Sequence, residues 1–204
     1  MAQRTANIYR LVTIPAVYKT IQKVLGAEQS SRRFVDEVVR PTRGAAVLDV
    51  GCGPASLLPY LPSVDYTGVD LNPASIAFAN KNYAERGRFL VGDAADLVPD
   101  RRYDIVIVAA ILHHLDDAGA KRLFGNLVGA LKPGGRIVTI DNIWLPRQNP
   151  IAKLINALDS GKNVRTLAGY QKLAEGLPLR VEHKLYRDLL RIPYDHVCLT
   201  LTAQ

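Results

Sequence analysis

The run Val47-Leu-Asp49-Val-Gly51-Cys-Gly53-Pro-Ala55-Ser56 puts a carboxylate and two glycines where a β-branched stretch gives way to a helical one. Glycines at such a junction allow a sharp turn and close approach of a ligand to the backbone, and a helix start beyond them offers open N–H groups. Asp70 closes Tyr66-Thr-Gly-Val-Asp70, 17 residues after Gly53, where a carboxylate can take both hydroxyls of a ribose. Asp93 closes a third run, Val91-Gly-Asp93. One glycine turn is a weak sign, but three motifs at three successive strand ends point to a nucleotide-like ligand. Asp49, two residues before Gly51, would repel a pyrophosphate and suits an amino or sulfonium cation. The third glycine of a dinucleotide GxGxxG pattern falls on Ser56, so the pattern favours a cationic cofactor.

The elements that must position these residues can be drawn from periodicity and punctuation. Strands are predicted at Ala46–Val50, Tyr66–Asp70, Arg88–Val91, Tyr103–Ala109 and Arg136–Ile140. Helices are predicted at Pro54–Tyr60, Pro73–Arg86 and Asp117–Leu131, with Asn72 and Asp116 as caps. Alternating strands and helices imply a parallel sheet. Before it, an apolar stripe from Ile8 to Leu25 and a helix from Ser30-Ser31 to Pro41 read as a helical lid or support. After it come short helices at Pro150–Leu158 and Leu167–Glu175, then strands Arg180–Tyr186 and His196–Thr202 as an antiparallel hairpin. The expected organisation of residues 1–204 is one domain: a lid over 1–44, a cofactor-binding core over 45–141, and acceptor-side elements over 142–204.

Composition narrows the class. The longest apolar run, Ile105 to Leu112, has eight residues, far below the roughly 18–20 that span a bilayer, and the N-terminus lacks a signal-peptide pattern. A cytoplasmic protein without a transmembrane segment is expected. Two cysteines, Cys52 and Cys198, support neither a disulfide framework nor a metal cluster. The formal charge of +7 is uneven: residues 1–48 carry +5, 49–140 carry −1 and 141–204 carry +3. Basic flanks around a near-neutral core suggest an anionic small molecule or surface, with solvated side chains as the ordinary alternative.

Taken together, Val47-Leu-Asp49-Val-Gly51-Cys-Gly53, Gly68-Val-Asp70, Gly92-Asp93-Ala94, Tyr103-Asp104-Ile-Val and Leu131-Lys-Pro-Gly-Gly135-Arg resemble the ordered motifs of class I S-adenosylmethionine-dependent methyltransferases. The likeness runs from about Val47 to Ile140 and is strongest to the small-molecule branch that includes quinone-biosynthesis-type enzymes. It implies an α/β, Rossmann-like sheet of seven mostly parallel strands with a C-terminal antiparallel hairpin, helices on both faces and an N-terminal helical lid. It implies S-adenosyl-L-methionine as cofactor, with Asp49, Gly51 and Gly53 on the methionine portion and Asp70 on the ribose. Asp93 and Ala94 would meet the adenine edge, Leu71 its face, and the Ala109 carbonyl the cofactor's ammonium. Ala55 stands where this family often has a third glycine, a change expected to cost only close helix packing.

In-line methyl transfer depends mostly on alignment and dryness, and a base is needed chiefly for a hydroxyl acceptor. His113 or His114 is the candidate base, with Asp141 orienting it or the acceptor; adjacent histidines that merely fill space are the competing reading. Asp141-Asn142 also resembles the acidic-amide pair of magnesium-dependent catechol O-methyltransferases. Ala109-Ala110 stands where those enzymes need a further carboxylate, so no metal is expected. The acceptor falls to the flanks: Tyr9, Tyr18, Arg165 as a phosphate or carboxylate ligand, and Tyr194. Nucleic acid is disfavoured as a partner because no binding module or aromatic-interleaved basic tract is present. Three other readings remain open: an RNA or protein methyltransferase, a non-catalytic cofactor-binding partner, and a basic segment lying on a membrane through Arg10, Lys19, Lys23 and Arg32.

Overall fold

The computed structural model describes residues 26–93, 96, 102–159 and 161–204. Seven strands form one sheet: β1 Ala46–Val50, β2 Asp65–Asp70, β3 Gly87–Val91, β4 Tyr103–Ala109, β5 Leu131–Asn142, β6 Leu179–Tyr186 and β7 His196–Ala203. Their order is β3-β2-β1-β4-β5-β7-β6. The first five run parallel, and β7 is antiparallel to both β5 and β6. The order reverses between β1 and β4, the point where open α/β sheets bind ligands beyond their strand ends.

The central strands are buried on both faces because helices cover both. On one face, α3 (Asp117–Gly129) and α5 (Leu167–Lys172) pack Leu123, Phe124, Leu127 and Tyr170 against Val106, Val108 and Ile137. On the other, α1 (Ala27–Phe34), its π-helical continuation Val35–Val39 and α2 (Pro73–Tyr83) pack against Val47, Ile105 and Ile107. The α1 segment is a support for that face, tied to β6 by Lys184 Nζ at 2.6 Å and the Tyr186 hydroxyl at 2.9 Å from Glu37 Oε2. The expected stripe from Ile8 to Leu25 lies outside the described residues.

Capping accounts for most helix starts: Asn72 accepts from the Ala74 N–H, Asp116 from Gly119 and Asn149 from Ile151 at the head of α4 (Pro150–Leu158). Three expectations need correction. The first described helix begins at Ala27, after Gly26 in the left-handed region, and not at Ser30-Ser31. β5 begins at Leu131, because Lys132-Pro-Gly-Gly is taken into the strand with a register shift near Tyr103. Pro54–Tyr60 is no α-helix: successive bonds three residues apart make turns and a short 3₁₀ helix at Leu58–Tyr60. Ala55 at φ +60° and Pro59, which has no N–H, block regular propagation.

Candidate active site

The acidic and glycine residues gather at the carboxyl ends of β1, β2 and β3. A cleft of about 230 Å³ at the opposite, amino edge is lined by Arg40, Asp104 and Gly134 and holds none of them. In the turn after β1, Gly51 and Gly53 take φ +71° and +54°. A Cβ on Gly51 would collide with the Ile111 side chain, whereas at Gly53 the same position is open. The turn spends its N–H groups on β2: Gly51 and Cys52 donate to the Val69 carbonyl, and Gly53 donates to Asp70 Oδ2 at 2.8 Å. No α-helix start follows, so the expected array of helix N–H groups is absent among the described residues. Ala55 is fully buried in the left-handed region, so its cost is backbone strain on the order of 1 kcal/mol and not looser helix packing.

Asp70 organises this end of the sheet. Its second oxygen accepts from the Asn72 N–H at 2.8 Å. Each carboxylate oxygen has two acceptor sites, so each keeps one for an incoming hydroxyl. Leu71 beside it is 68% exposed, a bare apolar surface at the strand end. Asp93 stands exposed after β3, Ala109 is half-buried at the end of β4, and Ala94 lies outside the described residues.

Asp49 differs from the expectation of direct contact. Its carboxylate is buried beneath the turn and accepts from the Tyr66 hydroxyl at 2.7 Å. Burial pushes its pKa up to about 7, the Tyr66 bond opposes this, and the charge of Asp70 adds to it.

A second, closed cluster lies at the ends of β4, β5 and β7. The left-handed Ala110 and a 3₁₀ turn at Leu112–His114 turn the chain so that His113 is buried and His114 exposed. His113 Nδ1 lies 2.7 Å from Asp141 Oδ1, which also accepts the His113 backbone N–H at 3.2 Å. Burial raises the Asp141 pKa, and the bonds from His113 oppose that rise. An ionised Asp141 fixes the proton on Nδ1 and leaves Nε2 as the basic nitrogen. Nε2 sits 3.7 Å from Asp159 Oδ1, beyond hydrogen-bond reach. A Cβ on Gly161 would overlap the His113 ring, so only glycine lets that loop close over it. The His114 ring meets that of His113 tilted by 43°, with centroids 4.1 Å apart, and partial loss of water around it, with His113 beside it, lowers its pKa. The structure thus separates the two candidate bases: only His113 has a carboxylate partner.

Arg165 is a correction. Its guanidinium makes four hydrogen bonds inside the protein, to the carbonyls of Leu112, Leu115 and Asn163 and to Asp117, and Nη2 also ion-pairs with Asp117 at 2.8 Å. It is buried and clamps the loop carrying His113, with nothing left for an acceptor phosphate or carboxylate. Tyr194 is drawn into the cluster: its hydroxyl meets Asn142 Nδ2 at 2.7 Å and Asp159 Oδ2 at 3.2 Å. Tyr9 and Tyr18 lie outside the described residues. Sequence reasoning missed Asp159 altogether, since a lone acid after a short helix carries no motif. Asn142 was noted only beside Asp141, as half of the acidic-amide pair. Among the described residues, no group of three His, Cys, Asp or Glu could hold a metal ion, and no helix is long and apolar enough to cross a membrane.

The chain is similar to known methyltransferases. Residues 47–135 match the family model described as a methyltransferase domain. The chain is 29% identical over 174 residues to a trans-aconitate 2-methyltransferase of Methylobacterium radiotolerans, covering 78% of the chain and 64% of that protein. It is 33% identical over 109 residues to a ubiquinone biosynthesis O-methyltransferase of a Bradyrhizobium species, covering 50% of the chain and 42% of that protein. The chain therefore spans less than two thirds of the length of either curated relative. In fold it is similar to the pyocyanin biosynthetic protein PhzM, with a TM-score of 0.75 and 21% identity over 97% of this chain and 61% of that one.

Proposed function

We propose that this chain, a member of the class I S-adenosylmethionine-dependent methyltransferases, transfers a methyl group to a hydroxyl oxygen of a small-molecule acceptor. The observation that carries the oxygen is the buried His113–Asp141 pair, 2.7 Å apart, beside the end of β4. A base with a dedicated carboxylate is what a hydroxyl acceptor needs and what an already nucleophilic one does not.

The cofactor half fits S-adenosylmethionine on features of this chain. Asp70 keeps an acceptor site on each oxygen for the ribose hydroxyls, the backbone at Gly53 is open to close approach, and Leu71 offers an apolar face for the adenine. Asp49 places negative potential under the turn, suited to the cationic methionine end. When bound, the cofactor supplies an electrophilic methyl group on a sulfonium sulfur. His113 Nε2 takes the acceptor's proton, Asp141 holds the ring and stabilises the imidazolium formed, and the loop clamped by Arg165 keeps water away. A reading of the chain as one domain, with residues 142–204 on the acceptor side, accords with Asn142, Asp159 and Tyr194 meeting there.

The test is His113→Ala and His114→Ala made separately, with cofactor affinity measured beside turnover. His113→Ala is expected to lose about 10²–10⁴ in rate with unchanged affinity, and His114→Ala to change little. A loss of less than a few-fold for His113→Ala contradicts the base.

A further inference from the structure

We propose that the polar cluster between the ends of β5 and β7 is the acceptor subsite and selects a neutral or cationic head group rich in hydroxyl or amine donors, against anions. The proposal rests on the methyl-transfer reading above and names the acceptor class for it.

Asn142 on β5 and His196 on β7 are a directly opposed cross-strand pair. Each carries a buried polar atom without a hydrogen-bond partner, Asn142 Oδ1 and His196 Nδ1, and Asp141 Oδ2 next to them is a third. Asn142 and Asp141 are 3% and 2% exposed, so bulk solvent does not reach these atoms. Buried polar atoms are nearly always bonded, and leaving one unpaired is costly. Asn142 Oδ1 can only accept, and so can Asp141 Oδ2 in the ionised form that its bonds from His113 favour. His196 Nδ1 accepts when the ring proton sits on Nε2, and burial lowers that ring's pKa to about 4, keeping it neutral. The missing partners are therefore donors.

The rest of the cluster is held as if to keep these atoms in place. Asn142 Nδ2 meets Asn156 Oδ1 at 3.0 Å and the Tyr194 hydroxyl at 2.7 Å. The Tyr194 ring packs edge-on against His196 with centroids 4.8 Å apart. Asp159 Oδ2 accepts from Tyr194, and its Oδ1 accepts from the Gly161 N–H. Asp141 and Asp159 face the cluster, and among the described residues no lysine or arginine hydrogen-bonds any member of it, although the buried charge of Arg165 reaches Asp141. Arg165 is spent on its loop, and Lys162 is exposed. An anion placed here meets like charge at low dielectric and finds acceptors where it needs donors. The chain's overall +7 charge is thus a poor guide to the site.

The experiment divides a small-molecule cell extract by ion exchange into anionic, neutral and cationic pools. Each pool is incubated with the protein and methyl-labelled S-adenosylmethionine, and cofactor binding is measured in parallel by equilibrium dialysis. Label is expected in the neutral or cationic pool at least tenfold above the anionic pool. Asp159→Asn should narrow that preference several-fold, and Tyr194→Phe should lower labelling while retaining cooperative melting. Label chiefly in the anionic pool, or a preference unchanged in both variants, overturns the subsite and leaves methyl transfer standing. No label in any pool with cofactor bound overturns the transfer reading and the subsite with it.

Discussion

The two halves of the strand-end crevice are built in opposite ways. Under β1–β3 the candidate groups are open and largely backbone in character: a left-handed glycine turn, one carboxylate bridging two N–H groups, and an exposed Leu71. Beyond β4, β5 and β7 they are closed and mostly side chain, drawn from positions 113, 141, 142, 159, 194 and 196. The first half can be specified by short runs of residues because its geometry is local. The second exists only after the sheet has brought distant segments together.

This difference can be broken at several points. The largest effect is expected on the closed side, from Asp141→Asn. Loss of the carboxylate releases the His113 tautomer and should cut turnover by about 10²–10⁴ with cofactor affinity intact, measured by single-turnover transfer against equilibrium dialysis. Next comes Arg165→Ala, which strips the carbonyls of Leu112, Leu115 and Asn163 of their donor at once. Chemical denaturation should record a loss of about 3–5 kcal/mol, and Lys at the same position should restore little, since one ammonium cannot span those partners.

Asp49→Asn tests the open side through pH. The folded pKa of Asp49, about 7, lies above its ordinary value of 3.8, so its contribution to stability is full below about pH 4 and is lost as pH rises through 7. The variant should therefore melt above the parent at pH 8, by on the order of 2 kcal/mol, and match it near pH 4, while binding cofactor more weakly at pH 8. A constant difference across that range would mean that the carboxyl's charge is not what burial penalises. The smallest effect is expected from Ala55→Gly, which relieves a left-handed alanine and should stabilise by about 0.5–1 kcal/mol in thermal melts.

The same division explains what the sequence disclosed. All seven strands were legible from β-branched runs and their punctuation, and Asp70, Gly53 and Leu71 stand at the strand ends where their motifs predict them. The turn after Gly53 was misread as a helix because apolar spacing in Pro54–Tyr60 is compatible with either, and the left-handed Ala55 decides it. On the closed side, a base at His113 or His114 with Asp141 orienting it or the acceptor was legible at two strand ends, and the structure pairs His113 with Asp141. Which histidine turns inward depends on the 3₁₀ turn and on Gly161, 48 residues away from it in the chain. Arg165 looked like an anion ligand because a loop arginine before a helix has no visible partner in sequence; its partners are carbonyls up to 53 residues distant. The Asn142–His196 pair depends on strand register, and Asp159 on where α4 ends.

The most direct test of the account is calorimetric titration of the protein with S-adenosylmethionine, repeated on Asp70→Ala. Saturable binding at one site per chain is expected, weakened at least tenfold in Asp70→Ala and unchanged in His113→Ala. Absence of binding, or equal affinity in Asp70→Ala, would contradict a cofactor held at the open half of the crevice.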